Sequence, residues 1–296
     1  MQQAEWEERA AVYAQRAEPW VHGRLERRAR GEKNAVDDFL FEYYNYSPRK
    51  LVTWHPGYGV VLEGPRAHEY LEHAGYVEVP GGVTADLAFL DPRRQRLDLA
   101  LRILDGTRTR KANTACFALH EWAMTYHLTQ EQVRHAYLPL RVSPAAISET
   151  VDSVGLTCTH IDAFRFFTDD AMPLNALQPT RATQPDLEQP GCMHASMDLF
   201  KYAYWFSPLI GSDLILDCFE LAARARELDM RASPYDVARF ELEPVRVETA
   251  DGRREYVELQ RELMLTAEPV RAQLRASLAE LAAATVRIPE RSAPPA

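Results

Sequence analysis

The sequence predicts a mainly α-helical protein, built as a single multi-helix globular domain with a minor β element. Long stretches carry apolar residues at helical spacing, and glycine and proline cluster in only a few short segments. The 296 residues are 46% hydrophobic, which is enough to bury a large core. No repeat of fixed period divides the chain. We therefore expect one domain over residues 1–286, followed by a disordered, proline-rich tail over 287–296.

Helices are predicted where apolar residues recur at i, i+3, i+4 and i+7 between capping or breaking residues. The predicted helices are 3–30 with a break at Pro19, 32–46, 66–74, 92–106, 112–128, 130–137, 144–154, 157–168, 192–206, 212–230 and a last long helix ending near 285. Residues 172–191 contain four prolines and are expected to form a loop.

The minor β element is expected in two places. A Val-Val-Leu run after a glycine- and proline-rich segment predicts a short strand near 58–63. A second strand or strand pair is predicted near 244–249, before the turn residues Asp251 and Gly252.

Charge and cysteine content limit the classes of function. The chain has 34 Lys and Arg against 43 Asp and Glu, a net charge of −9, so nucleic acid would have to bind at a local basic patch. Four cysteines without a C-x-x-C pair do not suit a disulfide framework or a multi-cysteine zinc module. Neither a signal peptide nor a membrane span is apparent, so we expect a cytoplasmic protein without a membrane partner.

The helix predicted over 192–206 carries the strongest functional pattern. His194, Asp198, Lys201, Tyr202 and Trp205 are spaced at i, i+4, i+7, i+8 and i+11, which places them on one face. Such a face could bind a substrate, position a general base or ligate a metal. We predict His194 and Asp198 as catalytic and the other three as substrate-binding residues. The alternative is a solvated face with a His–Asp hydrogen bond.

A second cluster lies in the segment 158–170. His160 and Asp162 are further candidate catalytic residues, although Asp162 and Arg165, three apart, also suit a structural ion pair. Arg181, in the proline-rich loop, is a candidate substrate-binding residue.

Three histidines suggest a metal site as an alternative. Cysteine and histidine recur together as C-x-x-x-H at 116/120 and as C-x-H at 158/160 and 192/194. If these segments meet, His120, His160 and His194 could supply three nitrogen ligands to a divalent metal. The segment after His120 lacks the H-E-x-x-H pattern of zinc peptidases, because residue 124 is Met. An isolated histidine among apolar residues is more often a core residue.

A local basic run followed by aromatic residues is the candidate nucleic-acid surface. It offers cations for phosphate contacts, interleaved with acidic residues, and rings for base stacking. Its members are Arg24, Arg27, Arg28, Arg30, Lys33, Tyr43, Tyr44, Tyr46, Arg49, Lys50 and Trp54. Tyr44 and Trp54 are the predicted substrate-binding residues of this surface.

Four long segments, 27–64, 188–209, 226–236 and 247–262, resemble a group of bacterial proteins, common in actinobacteria, labelled 3-methyladenine DNA glycosylase. The resemblance implies excision of alkylated purines from damaged DNA without a cofactor. A glycosylase holds the extruded base between aromatic rings and uses a carboxylate to stabilise the sugar cation or activate water. Tyr44 and Trp54 could serve the first role, and Asp198 or Asp162 the second.

Three hypotheses therefore follow from the sequence. The leading one is a DNA glycosylase-like enzyme acting on damaged DNA. The second is a metal-dependent enzyme with a histidine-rich site between helices and a small-molecule substrate. The third is a helical binding protein whose His194 face recognises an anionic ligand.

Overall fold

Helices make up most of the protein, as predicted. The computed structural model describes residues 1–286, so the predicted tail lies outside the described residues. The helices are α1 (Gln3–Ala29), α2 (Phe39–Tyr43), α3 (Pro48–Val52), α4 (Arg94–Thr109), α5 (Leu119–Ala123), α6 (Pro144–Val154), α7 (Ile161–Phe164), α8 (Gln184–Leu187), α9 (Met193–Tyr204), α10 (Ser212–Ala232) and α11 (Ala250–Val286). Short 3-10 helices cover Pro65–Glu72, Leu87–Arg93, Met172–Leu174 and Ala238–Phe240.

Helix α9 is the centre of the core. It packs against α10 and α11, and ten of its twelve residues are buried. Its apolar side chains, among them Met197, Leu199 and Phe200, contribute to one continuous hydrophobic cluster. The polar side of α9 is therefore also turned inward, where charged groups must find partners within the protein.

A three-stranded antiparallel sheet lies beside the N-terminal helix. It contains β1 (Val61–Leu62), β2 (Tyr76–Val79) and β3 (Gly82–Ala85), in the order β1-β3-β2. The strand predicted near 58–63 is confirmed as β1. The hairpin of β2 and β3 was not predicted, although Pro80 and Gly81 mark its turn and Val77 and Val79 alternate with polar residues.

The strand predicted near 244–249 is wrong. Val245 and Val247 are buried with the exposed Arg246 between them, which is the alternation of a strand. However, the Val245 N–H donates to the Arg231 carbonyl at the end of α10, 2.8 Å away, and no strand lies alongside. The expected turn residues Asp251 and Gly252 instead belong to the first turn of α11.

Several predicted helices also differ. Those expected over 32–46 and 157–168 are shortened to α2 and α7, the one over 66–74 is a 3-10 helix, and the loop expected over 172–191 contains α8. Pro19 does not divide α1, because its ring lies on the exposed side, where water can satisfy the carbonyl that loses its donor. The helix expected over 112–128 is reduced to α5, because Phe117 and Ala118 have left-handed backbone angles. No helix forms over 130–137, where the Gln130 side chain bonds the backbone of Leu138 and Leu140.

Candidate metal and substrate site

The three predicted histidines lie in a row inside the protein. His120 is in α5, His160 immediately precedes α7 and His194 is in the first turn of α9. The ring of His194 lies between the other two, with centroids 4.7 Å from His120 and 5.3 Å from His160. All three are buried. The folded chain therefore brings together segments that are far apart in the sequence.

Carboxylates divide these histidines into two groups. Within residues 1–286, ligand atoms lying within 4.8 Å of one another define a first group of His120, His194 and Asp229. A second group contains His160, Glu188 and Asp198. The three imidazoles predicted as one metal site are thus shared between two clusters, each completed by carboxylate.

The first group has the donor set of a divalent-metal site. His120 Nε2 lies 2.7 Å from Asp229 Oδ1, yet neither atom makes a hydrogen bond of acceptable geometry. The other oxygen of Asp229 accepts a hydrogen bond from the Arg226 guanidinium at 3.1 Å. Burial acts to lower the pKa of His120, but Asp229 raises it well above the ordinary value. His120 and Asp229 therefore form a buried imidazolium–carboxylate pair, and a metal ion that binds here would replace the proton of His120.

His194 differs from its neighbours in charge. Burial and the nearby His120 lower its pKa to about 3, so its imidazole is neutral at physiological pH. Neutral imidazole is the form that ligates metals.

The second group is already occupied by protein cations and hydrogen-bond donors. His160 Nδ1 accepts the Asp162 N–H at 3.2 Å, so Nε2 faces Glu188 at 3.1 Å and Asp198 at 3.4 Å. Burial opposes protonation of His160, but the two carboxylates raise its pKa to about 9. Asp198 also accepts from Lys201 and, at 2.9 Å, from the Tyr44 hydroxyl. This group thus differs from the first in that Lys201 and Tyr44 already bind Asp198, while His160 Nε2, like His120 Nε2, makes no hydrogen bond of acceptable geometry.

An open cleft of about 380 Å³ lies in front of the second group. Its lining consists of aromatic, basic and a few apolar residues around one carboxylate. The lining residues are Tyr43, Tyr44, Leu99, Ile103, Asp162, Arg165, Arg181, Gln184, Lys201, Tyr202, Tyr204 and Trp205. Five of the six predicted substrate-binding residues are in this set.

Asp162 is the charged centre of the cleft. Arg181 binds both of its oxygens, at 2.5 and 3.0 Å, while Lys201 and Arg165 each lie 3.3 Å away. Burial would raise the pKa of Asp162, but these cations lower it to about 2. Asp162 is therefore ionised at physiological pH.

A smaller cavity of about 20 Å³ has two lining residues in common with the cleft and reaches one member of the first group, His194. Tyr43 and Asp162 line both spaces, while His194 and Arg226 line only the smaller one. The side chains of Tyr43 and Asp162 are thus shared walls of the cleft and of the cavity beside His194.

Trp54, the sixth predicted substrate-binding residue, lies elsewhere. It is buried, its indole Nε1 is 3.5 Å from Asp213, and it lines a separate cavity. The predicted nucleic-acid surface is also altered by folding. Arg24 and Arg27 both pair with the buried Asp38, and Tyr46 packs in the core.

Sequence reasoning missed Asp229, Glu188 and Arg226. Arg226 and Asp229 are one helical turn apart in α10, and Glu188 precedes α9 in the proline-rich loop. Arg226 and Asp229 both continue the apolar face of Cys218, Ala222 and Ala225 at helical spacing, and charged residues on such a face are the signal that could have identified them.

Comparison with known proteins adds no family assignment: no protein-family profile, curated protein or solved structure matches the chain. Among the described residues, none of the helices is both long and apolar enough to cross a lipid bilayer.

Proposed function

We propose that the protein is a metal-dependent enzyme acting on a small anionic molecule. His120, His194 and Asp229 would hold one divalent metal ion. The observation that carries this proposal is the convergence of two imidazoles and one carboxylate, all buried, with ligand atoms within 4.8 Å of one another.

The ligand types indicate the class of metal. Two imidazoles and one carboxylate suit zinc, iron, manganese or cobalt and leave coordination positions for water or substrate. Arg226 donates to the second oxygen of Asp229 and would keep the first directed at the metal.

The charge of the cleft favours an anionic substrate. Arg165, Arg181 and Lys201 face a single lining carboxylate, Asp162. The rings of Tyr202 and Trp205 offer a surface for a planar or apolar part of the molecule. We infer a substrate that combines a carboxylate or phosphate with a ring.

The two groups have complementary roles in the proposed reaction. A bound metal would polarise the substrate or activate a water molecule, and the 20 Å³ cavity beside His194 has room for one. His160, with its pKa of about 9, holds a proton between Glu188 and Asp198. Its ring is next to that of His194, so it could supply this proton as a general acid.

Metal analysis of tag-free protein tests the proposal. We expect about one divalent ion per chain after reconstitution, and at least about 10-fold weaker binding in Asp229→Asn and in His194→Gln, since each loses a ligand. His135→Gln is the matched control, because His135 lines the same small cavity but belongs to neither group.

Less than about 0.1 ion per chain after reconstitution would reject a tight permanent site. Equal metal binding by His135→Gln and both ligand variants would also contradict the proposal. Circular dichroism of each variant separates loss of metal from loss of fold.

A DNA glycosylase-like activity is the second candidate. It is favoured by the aromatic walls of the cleft, which could hold an extruded base, and by Asp198 behind them. The net positive lining is unfavourable for a cationic base such as 3-methyladenine, and we rank this activity second.

Release of 3-methyladenine from alkylated duplex DNA tests the second candidate. Wild type should release the base and bind DNA in a salt-dependent manner, and Asp198→Asn should lose the release. Thr266→Ala, at an exposed position of α11 outside both the cleft lining and the predicted nucleic-acid surface, serves as a control. Absence of both base release and salt-dependent DNA binding would reject the glycosylase-like activity.

For either activity, the free cysteines suit a reducing cytoplasm.

A further inference from the structure

Another cleft, which we call the Lys33 cleft, adjoins the small cavity beside His194. Its volume is about 310 Å³, which is within the range of small-molecule sites. The residues that line both the Lys33 cleft and the small cavity are Phe39, Tyr43, Arg134 and His135. Of these, only Tyr43 also lines the cleft around Asp162. The cavity beside His194 therefore has shared walls with two different clefts.

The ring of Phe166 shows how close the two clefts are. Phe166 lines the small cavity, and two guanidinium groups lie over its ring. Arg165, from the cleft around Asp162, is 4.4 Å from the ring centroid, and Arg134, from the Lys33 cleft, is 4.8 Å from it. Cations from the two clefts thus contact the same ring.

The Lys33 cleft contains cations that no carboxylate neutralises. Among the described residues, neither Lys33 nor Arg134 forms an ion pair, and the Lys33 ammonium lies 5.7 Å from the centroid of the Tyr137 ring. The carboxylate in the lining, Glu42, pairs with Arg24 at 3.0 Å. In the cleft around Asp162, by contrast, that carboxylate pairs with all three lining cations. The unpaired charge of the Lys33 cleft is therefore positive.

His135 experiences the same positive potential. Burial lowers its pKa to about 3, and the charges of Arg226 and Arg134 act in the same direction. Its imidazole is therefore neutral at physiological pH and can donate or accept a hydrogen bond. A cleft that disfavours a further cation in this way favours an anionic ligand.

Aromatic rings form the remaining walls. Phe39 and Tyr43 are stacked with centroids 5.0 Å apart and planes at 12°, and Tyr137 is 37% exposed. These rings offer apolar surface to a flat ligand.

We propose that the Lys33 cleft binds an organic anion, a planar ring that carries a carboxylate or a phosphate, with Lys33 and Arg134 as its charged contacts. A guanidinium can donate to two oxygens of either group, and an ammonium adds a point charge. A role for this anion as a second substrate of the metal-dependent enzyme rests on the proposed function, whereas its binding does not.

Calorimetric titration with 1-naphthyl phosphate and with 1-naphthoate tests the site. We expect at least one of them to bind, and 1-naphthol, which has the ring without the charge, to bind at least about 10-fold more weakly. Lys33→Gln and Arg134→Gln should each weaken binding of the anion roughly 10-fold. Lys50→Gln is the matched control, because Lys50 is an exposed cation of α3 outside the cleft lining.

Arg181→Gln separates the two clefts, because Arg181 lines only the one around Asp162. Loss of binding in Arg181→Gln, with wild-type binding in Lys33→Gln and Arg134→Gln, would place the anion in that other cleft and overturn the proposal. Binding of neither anion to wild type would also overturn it.

Metal-free protein distinguishes this site from the proposed metal centre. Wild type dialysed against a chelator and then against chelator-free buffer should bind the anion as untreated protein does, and this result would support the Lys33 cleft even if no metal is found. Loss of binding after this treatment would place the anion on the metal and overturn the proposal.

Discussion

The charge state of each buried histidine depends on whether a carboxylate pairs directly with its imidazole. His160 faces Glu188 and Asp198 and has a raised pKa, whereas His194 has a lowered one. His55 and His135 resemble His194, because burial lowers the pKa of both without a carboxylate to oppose it. Two histidines that lie within a few ångströms of each other can therefore differ in role, one holding a proton and the other neutral and able to ligate a metal ion.

His55 should make the protein less stable in mild acid. Burial and the nearby His73 lower its pKa to about 4, compared with about 6.5 in the unfolded chain. The unfolded state binds more protons between these values, so the contribution is complete above pH 6.5 and is lost as the pH falls towards 4. We expect a loss on the order of 2 kcal/mol.

Urea unfolding at several pH values checks this expectation. His55→Asn should show a shallower decline in unfolding free energy between pH 6.5 and 4.5 than wild type. His22→Asn, at an exposed position of α1, should keep the wild-type slope. Parallel curves for wild type and His55→Asn would exclude His55 as the source.

At the scale of the elements, the docking of α11 depends on a close backbone approach. Gly252 lies in the first turn of α11, and a Cβ there would be 2.0 Å from the Arg246 carbonyl oxygen. The segment that leads into α11 can therefore approach the first turn of the helix only at glycine. Residues 247–249 form a turn there, in which the Thr249 N–H donates to the Arg246 carbonyl.

Gly252→Ala should destabilise the protein by about 2–4 kcal/mol, because the obstructing atom is backbone and cannot rotate away. The matched change is Gly23→Ala in α1, where the nearest atom is the end of the flexible Arg27 side chain. That substitution should be neutral or raise stability by up to about 1 kcal/mol. Thermal unfolding of both variants is the measurement, and equal effects would contradict the steric explanation.

At the scale of the whole molecule, Arg226 connects parts of the chain that are distant in sequence. Its guanidinium donates to Glu121 in α5 at 2.7 Å, to Asp229 in its own helix and to the Ala35 carbonyl. It is 2% exposed. This buried network stabilises the first histidine group and the segment preceding α2 together.

Arg226→Met should cost about 3–5 kcal/mol, because it leaves the buried Glu121 without its cation and leaves Asp229 with His120 alone. Arg16→Met should cost less than about 1 kcal/mol, since Arg16 binds Asp217 and Glu220 at the surface. Denaturant unfolding distinguishes the two cases. A small effect of Arg226→Met would mean that the network contributes little to folding.

Helical spacing was sufficient to identify much of the cleft. The positions of Lys201, Tyr202 and Trp205 on α9 follow from a period of 3.6 residues, and all three line it. The same spacing could not show that His194 and Asp198 face the interior, behind the cleft wall. That depends on α10 and α11 covering α9.

Residues that act across the chain were not predictable in the same way. Asp229 in α10 meets His120 in α5 only through tertiary packing, and Trp54 is removed from the cleft because its indole packs in the core. Periodicity describes one element at a time, whereas these positions depend on how elements are arranged. The hairpin of β2 and β3 was missed for a different reason, since its strands are only four residues long.

By itself, the sequence determined the mainly helical class, the polar and aromatic face of α9 and the three Cys–His segments, because local spacing and composition express them directly. Only the tertiary structure decided that His120, His160 and His194 lie in a row, that carboxylates divide them into two groups, and that two clefts share walls with the cavity beside His194. The physical reason is that the neighbours of a buried titratable group decide whether it is charged or neutral. Those neighbours come from distant segments of the chain.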